Sequence, residues 1–496
     1  MKTINFKISL VVVLMMLISS CNLNKFPFDS IEQSQSFKTI KDATTLNNGL
    51  YASLRGDIYG IFTYSTDVQA DEMNATLDYG NRNGFPYTWS GFLSDDYTIS
   101  GVWSGFYATL ANVNNVINNI GKIPQASVSD SAQINGFLGQ AYLMRAYIFH
   151  QLVLRYAKAY NPTTAGSDPG VPLVLTFDIT LLPSRSTVAQ TYTQITGDIA
   201  KAKTLLSKVT GVQNSTKLTY DCVLALEARV ALYMQNWQLA LTDANLLISS
   251  GKYPLINNKN SFQSMWTNDI GSEIIFRFFA SEPTELPNAN DIYLRFNPAN
   301  NQYDPDFVPE LWVVNLYDNA DIRKSVYLAP LTLNIQGATY PGIYCINKFP
   351  GNPALFTAAT SNYEQAPKVF MIGEQYLISA EAAAQSPTTQ AAALATLNVL
   401  RVARGIPALS GLTGTNLTNA IRDERTRELL GEGFRLDDLK RWGLGFTRSA
   451  PQNLNLIVTG TDYNLKTVLP TDPKFVWGIP ANDIKVNPNL AQNPGW

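Results

Sequence analysis

The sequence predicts a mostly α fold: tetratricopeptide-like helix pairs forming a helical scaffold, with long loop-rich insertions and a few short strands. Two stretches carry the prediction. Residues 217–255 (KLTYDCVLALEARVALYMQNWQLALTDANLLISSGKYPL) place Ala225, Ala228, Ala231, Ala240 and Ala244 where two antiparallel helices can approach closely, with Trp237 opening the second helix and Gly251 closing it. The pattern returns over 366–404, where APKVFMIGEQYLISAEAAAQ is followed by AALATLNVLRVARG.

In chain order, Lys2 and Lys7 flank an apolar run, Ile8–Ile18, of 11 residues. It is too short for the ~20 residues that cross a bilayer and has the proportions of a secretory signal. Ile18-Ser19-Ser20-Cys21 ends it and resembles the bacterial lipobox. Residues 1–20 are therefore expected to be a lipoprotein signal peptide, with Cys21 lipidated and residues 21–496 forming one domain tethered to the membrane by its acyl chains alone. Ile40, Ala43, Leu46, Leu50 and Leu54 recur at helical spacing within 38–56, and Trp103, Phe106, Tyr107, Leu110, Val113, Asn114 and Ile117 do the same. Residues 131–157 carry Leu138, Ala141, Tyr142, Arg145, Phe149 and Leu152 in one band; Gly170-Val-Pro172 breaks the pattern, and further helices are expected over 188–208, 218–234 and 237–251. Between these, 57–100 and 256–364 are insertions rich in turn residues and aromatics, with strand-like pieces at Glu273–Phe279 and Ile343–Phe349.

Composition excludes several functions. With 37 Lys+Arg against 39 Asp+Glu there is no basic excess to neutralise a phosphate backbone, so nucleic acid is not an expected partner. Charged residues are 15% of the chain, against ~25% in an ordinary soluble protein, so Asn, Gln, Ser, Thr and Tyr must cover much of the surface. Such a surface suits an uncharged, hydroxyl-rich ligand. His150 is the single histidine, which removes His-dependent nucleophilic catalysis and clustered His metal sites. It lies within the 131–157 helix, where a packing role is expected. Cys222 and Cys345 read as buried small hydrophobes rather than a disulfide, and no cofactor or metal is expected.

Loops on a rigid scaffold are where binding residues gather. The candidates are Tyr64, Tyr79, Asn81, Arg82, Tyr87 and Trp89 in the first insertion and Tyr293, Arg295, Phe296 and Tyr303 in the second. An aromatic face beside amide or guanidinium donors can stack on a sugar ring or an extended peptide and bond its polar groups. On this reading, replacing Tyr79 or Tyr293 by Ala weakens binding and leaves stability nearly unchanged. A carboxylate-based glycosidase would need a facing acid pair; Asp71–Glu72 and Asp95–Asp96 are adjacent in sequence, and neighbours of that kind diverge on a loop or strand.

The most specific signal is the charged run ERTRELLGEGFRLDDLKRWG (Glu424 to Gly443), in which Glu424, Glu428 and Glu432 recur every four residues as on one helix face, with Arg425, Arg435 and Arg441 available to pair with acids. Interleaved arginines argue for an ion-pair network that fixes this helix to the scaffold, not for a metal or catalytic row. Together with IPANDIKVNPNLAQNPGW (Ile479 to Trp496), GFLGQAYLMRAYIFHQLVLRYA (Gly136 to Ala157), WSGFYATLANVNNVI (Trp103 to Ile117) and the lipobox, this run resembles the SusD/RagB family of Bacteroidota surface lipoproteins. The resemblance implies a non-enzymatic outer-membrane protein at the cell surface. It would capture a nutrient oligomer, an oligosaccharide first and a peptide as the alternative, and deliver it to a TonB-dependent, SusC-like transporter. The family's ligand residues lie in variable loops, so the candidates above rest on residue chemistry alone.

Overall fold

A computed structural model describes residues 36–80, 85–178, 180–282, 285–286, 291–299 and 301–496. The expected signal peptide and Cys21 lie outside these residues.

The first helices start where side chains satisfy their free amide groups. Helix α1 (Ile40–Gly56) opens on a capping box in which the Thr39 hydroxyl accepts from the Asp42 amide and the Asp42 carboxylate accepts from the Thr39 amide. It buries Ala43, Leu50, Tyr51 and Leu54. Helix α2 (Ile61–Gln69) lies inside the segment read from sequence as loop. Its Thr and Ser content is poor in helix propensity, but every residue from Tyr64 to Gln69 is buried, and packing overrides propensity. Helix α3 (Tyr97–Asn119) is capped by Asp96, and α4 (Val128–Tyr156) by a second capping box, Ser127 with Asp130. His150 is fully buried in α4, and burial, then Arg229 and Arg155, depress its pKa to about 3, so it is neutral at ordinary pH.

The scaffold continues as antiparallel pairs. Helix α5 (Val188–Leu205) packs on α4, and α6 (Tyr220–Tyr233) on α7 (Trp237–Ser249). After α8 (Lys259–Thr267) and the second insertion, α9 (Ile372–Ala384) lies against both α7 and α10 (Gln390–Ala403). Ala228, Ala231, Ala240, Ala244 and Ala382 meet in one cluster with Leu232 and Ile378, so the small residues do let α6, α7 and α9 approach. Cys222 and Cys345 are buried and unpaired.

The strands tie the insertions together. Strand β1 (Met73–Ala75) from the first insertion pairs antiparallel with β5 (Phe307–Pro309) from the second. Strand β2 (Ile274–Arg277) pairs with β8 (Lys368–Met371), so residues 368–371 are strand where the sequence suggested the start of a helix. A short apolar run has no period of its own; Phe370 here lies opposite Phe276 and the run follows its partner. The remaining sheet has the order β3 (Phe296–Asn297), β4 (Gln302–Tyr303), β6 (Leu328–Ile335), β7 (Ala338–Ile346).

The charged run is two helices, not one. Helix α11 (Gly414–Leu429) ends before Gly431 and Gly433, whose φ of 74° and 78° are left-handed, and α12 (Arg435–Trp442) follows, so Glu432 sits in the turn and not on the helix face. The partners of its acids come from far along the chain. Glu424 pairs with Arg323 at 2.6 Å, and with Arg401 and Arg427 at 2.9 Å. Glu428 binds Arg404 at 2.5 Å and Arg323 at 2.9 Å; Arg404 also holds Glu273 at 2.7 Å. Glu432 binds Lys348 at 2.6 Å. In turn, Arg425 takes Asp438 at 3.0 Å, Arg435 takes Asp71 at 2.7 Å and Arg441 takes Glu381 at 2.5 Å. Burial alone would raise Glu428, but Arg404, Arg323 and Lys348 hold it at about 2.

Removing one partner of a buried pair strands the other charge. Arg404→Ala should therefore cost about 3–5 kcal/mol, seen as a lower midpoint in urea unfolding; an unchanged midpoint would show that Glu273 and Glu428 find other partners.

Candidate functional site

The two insertions meet at the β1–β5 pair, and the residues expected to bind ligand divide there into a buried group and a surface group. Tyr79 is 2% exposed, Tyr87 fully buried, Trp89 4% exposed, Tyr293 1% and Tyr64 8%. These five rings pack inward, contrary to the expectation that they line an open face. Tyr79 stands edge-on to Phe307 at 5.2 Å, and Tyr87 lies 5.4 Å from the same ring with the Arg448 guanidinium 3.6 Å over its other side. Trp89 is wedged against Phe475 at 4.8 Å and donates its indole hydrogen to the Gln69 carbonyl at 2.6 Å. Tyr293 is enclosed near Asp67 and Glu72; burial and then these two acids push its phenol well above the usual range. Asn81 and Arg82 lie outside the described residues.

Arg295, Phe296 and Tyr303 are brought together at the surface. Phe296 and Tyr303 are cross-strand partners with ring centroids 5.1 Å apart. Tyr303 is paired with Leu333, and Leu333 with Tyr340. Direct partners share a face of a sheet. Phe296, Tyr303 and Tyr340 therefore share a row with the fully buried Leu333, and their rings pack on the apolar cluster of Leu294, Val308 and Leu333 while staying part-exposed. The Arg295 guanidinium binds Asp304 at 2.8 Å and Asp306 at 3.4 Å.

Tyr97, at the first turn of α3, is 46% exposed and lies close enough to Asp306 and Tyr64 to feel both. Burial, then the nearby Tyr463, Tyr87 and Tyr97 hydroxyls, push the Tyr79 phenol above its usual range. On the far side, the β6–β7 hairpin tip folds down: the Gln336 amide donates to Asp78 at 2.7 Å and to the Leu77 carbonyl at 3.2 Å. The result is a surface of aromatic rings with carboxylate, amide and guanidinium groups between them. Tyr97, Tyr340 and Tyr463 were missed in the sequence; Tyr97 directly follows its helix cap Asp96, and an aromatic one residue past a cap is placed at a helix end, where one side stays open.

The adjacent acids do not make a catalytic pair. Both oxygens of Asp71 accept from Arg435 at 2.7 Å, and Glu72 is buried, with burial and then Asp67 raising it well above the carboxylate range. Asp96 spends an oxygen on the Thr98 amide at 2.9 Å, while its neighbour Asp95 is exposed. Among the described residues no group of three or more His, Cys, Asp or Glu side chains is arranged to hold a metal ion, and no helix is long and apolar enough to cross a membrane.

Comparison with known proteins agrees with this architecture. Residues 288–496 match the model of the SusD family, and residues 28–232 match a family model described as starch-binding, associating with outer membrane. The chain belongs to the SusD/RagB family. Its relatives include a SusD-like protein of Formosa agariphila, 24% identical over 98% of this chain and 97% of the relative. Among solved structures it is similar to a SusD superfamily protein of Bacteroides thetaiotaomicron, with a TM-score of 0.78 and 26% identity over 92% of this chain and 100% of the other. A putative sugar binding protein of Bacteroides vulgatus superposes with a TM-score of 0.76 and 26% identity, covering 93% of this chain and 100% of that one.

Because Tyr79 and Tyr293 are core residues, their truncation should be a packing loss. Tyr79→Ala and Tyr293→Ala are each expected to lose about 3–5 kcal/mol, as large-to-small changes of buried aromatics do, with a visible drop in melting temperature. Unchanged melting would place these rings at the surface.

Proposed function

We propose that this protein captures a neutral oligosaccharide on the face where its two insertions meet and passes it to a TonB-dependent, SusC-like transporter of the outer membrane. In this reading the chain is held at the cell surface by lipid on Cys21, and binding is its whole task. The observation behind it is the exposed Tyr97 near Asp306, which Arg295 binds, together with the part-exposed Phe296, Tyr303 and Tyr340 and the Gln336–Asp78 hydrogen bond where the two insertions meet. Flat rings stack on the apolar faces of a sugar, and the amide, carboxylate and guanidinium groups between them can exchange hydrogen bonds with its hydroxyls. Tyr79, Tyr87, Trp89 and Tyr293 serve as the platform beneath and do not touch ligand. Its relatives support the ligand class: one matching family is described as starch-binding, and one structural neighbour is a putative sugar binding protein. The low charge of the chain supports a neutral ligand.

Isothermal titration with a panel of neutral oligosaccharides tests this. At least one should bind, and Tyr97→Ala should weaken it by ~1–3 kcal/mol, by analogy with base stacking on aromatic side chains, at unchanged melting temperature. Heat from oligopeptides and none from any glycan would make this a peptide-capturing member of the family, and sugar products released from a polysaccharide would make it an enzyme.

A further inference from the structure

A separate feature lies outside that face. Between the N-terminal half of α3, residues 172–178 and 181–183, and the short helix α13 (Ala481–Val486) runs an open groove of about 450 Å³. Its walls are mainly apolar: Tyr107, Val174, Leu181, Leu182, Val486 and Leu490. Leu181 is 47% exposed, Leu182 49% and Val486 70%, and the apolar surface continues outward to Phe177 at 48%. Apolar exposure gathered in one place on a water-facing protein marks a contact surface.

Two carboxylates sit in this groove with no cation. Asp483 accepts from the Trp103 indole at 3.1 Å, and one oxygen of Asp178 accepts from the Thr180 amide at 2.9 Å and hydroxyl at 2.7 Å. Among the described residues neither makes a salt bridge, whereas Glu424, Glu428 and Asp71 each have an arginine partner. No Lys, Arg or His is among the groove's lining residues. Of the neighbouring cations, Arg185 is spent on the carbonyls of Tyr156, Pro169, Gly170 and Ala491 and on the Asn493 amide oxygen, and Lys485 of α13 is exposed and outside the lining. An occupant that covers the leucines therefore brings a positive charge to two acids waiting for one.

We propose that this groove docks a segment of a partner protein in which apolar side chains flank one basic residue. The aliphatic walls offer little to the hydroxyls of a sugar. The uncompensated carboxylates repel an anionic lipid headgroup. Leu181, Leu182 and Val486 on the rim, all about half exposed or more, favour a chain that lies along the groove over a small molecule enclosed in it. The inference stands apart from the glycan reading, because none of its residues belongs to the tyrosine-lined face.

The test uses the full mature chain with Cys21→Ser, so that no detergent competes for the groove, and three peptides: acetyl-Leu-Phe-Arg-Leu-Phe-amide and its Gln and Glu counterparts at the centre. The Arg peptide should bind saturably and about tenfold more tightly than the Glu peptide, a gap that Asp178→Asn with Asp483→Asn closes. Leu182→Glu with Val486→Glu should abolish binding at unchanged melting temperature. The proposal is overturned by no saturable binding of the Arg peptide, by equal binding of all three, or by binding that survives Leu182→Glu with Val486→Glu. Binding to phosphatidylglycerol vesicles that the same pair of substitutions removes would overturn it in favour of a membrane contact.

Discussion

Everything in this molecule hangs on the ion pairs around Glu424 and Glu428. Arg404, at the end of α10, holds Glu428 of α11 and Glu273 just before β2, and donates to the Ile256 carbonyl at 3.0 Å, all with its side chain out of water. Arg323, from the second insertion, reaches Asp321, Glu424 and Glu428 and is equally buried. Isolated charges of this kind would cost several kcal/mol each to bury, and only the mutual pairing makes the arrangement tolerable. Such a network gains little over well-packed hydrophobic residues in stability. What it specifies is register, because the scaffold, the second insertion and the C-terminal helices must all be in place before any one charge is satisfied.

The same region continues to the first insertion and so to the face proposed to bind ligand. Beyond Glu428 the chain turns at Gly431 and Gly433, and the Gly433 amide donates to the Asp67 carboxylate at 2.9 Å while Arg435 clamps Asp71. A side chain at residue 433 would meet the Thr63 carbonyl at 3.2 Å, so the close approach of this turn to α2 needs a glycine. Asp67 and Asp71 bracket the entry to β1, and β1 pairs with β5. The tyrosine platform, the Arg295 ion pairs and the open rings of Tyr97, Phe296 and Tyr303 are therefore placed by a chain of contacts that begins in a buried charge cluster. That order explains a rigid face built from segments with little regular structure of their own.

The scaffold was legible in the sequence because its signals are local. Alanines at close-packing spacing and three-and-four periodicity each report a helix without knowledge of its partner. Residues 368–371 were misread because a four-residue apolar run becomes strand only by lying beside β2. Helix α2 was misread because Thr63, Ser65 and Thr66 look like loop until burial is known. The break at Gly431 and Gly433 was visible as two glycines but yielded to the regular spacing of the three glutamates. The aromatic candidates show the firmest limit. Composition marks Tyr79, Tyr97, Tyr293 and Tyr303 alike as rings in an insertion, and only the three-dimensional stacking separates the platform from the rings above it.

The proposed function turns on where a carbohydrate sits on this surface. The decisive measurement is a crystal structure of the protein with an oligosaccharide that it binds in solution. The account predicts sugar rings stacked against Tyr97, Phe296 or Tyr303, with hydroxyls near Arg295, Asp78 or Gln336. Sugar found on the paired helices of the scaffold, with the insertion face empty, would contradict it.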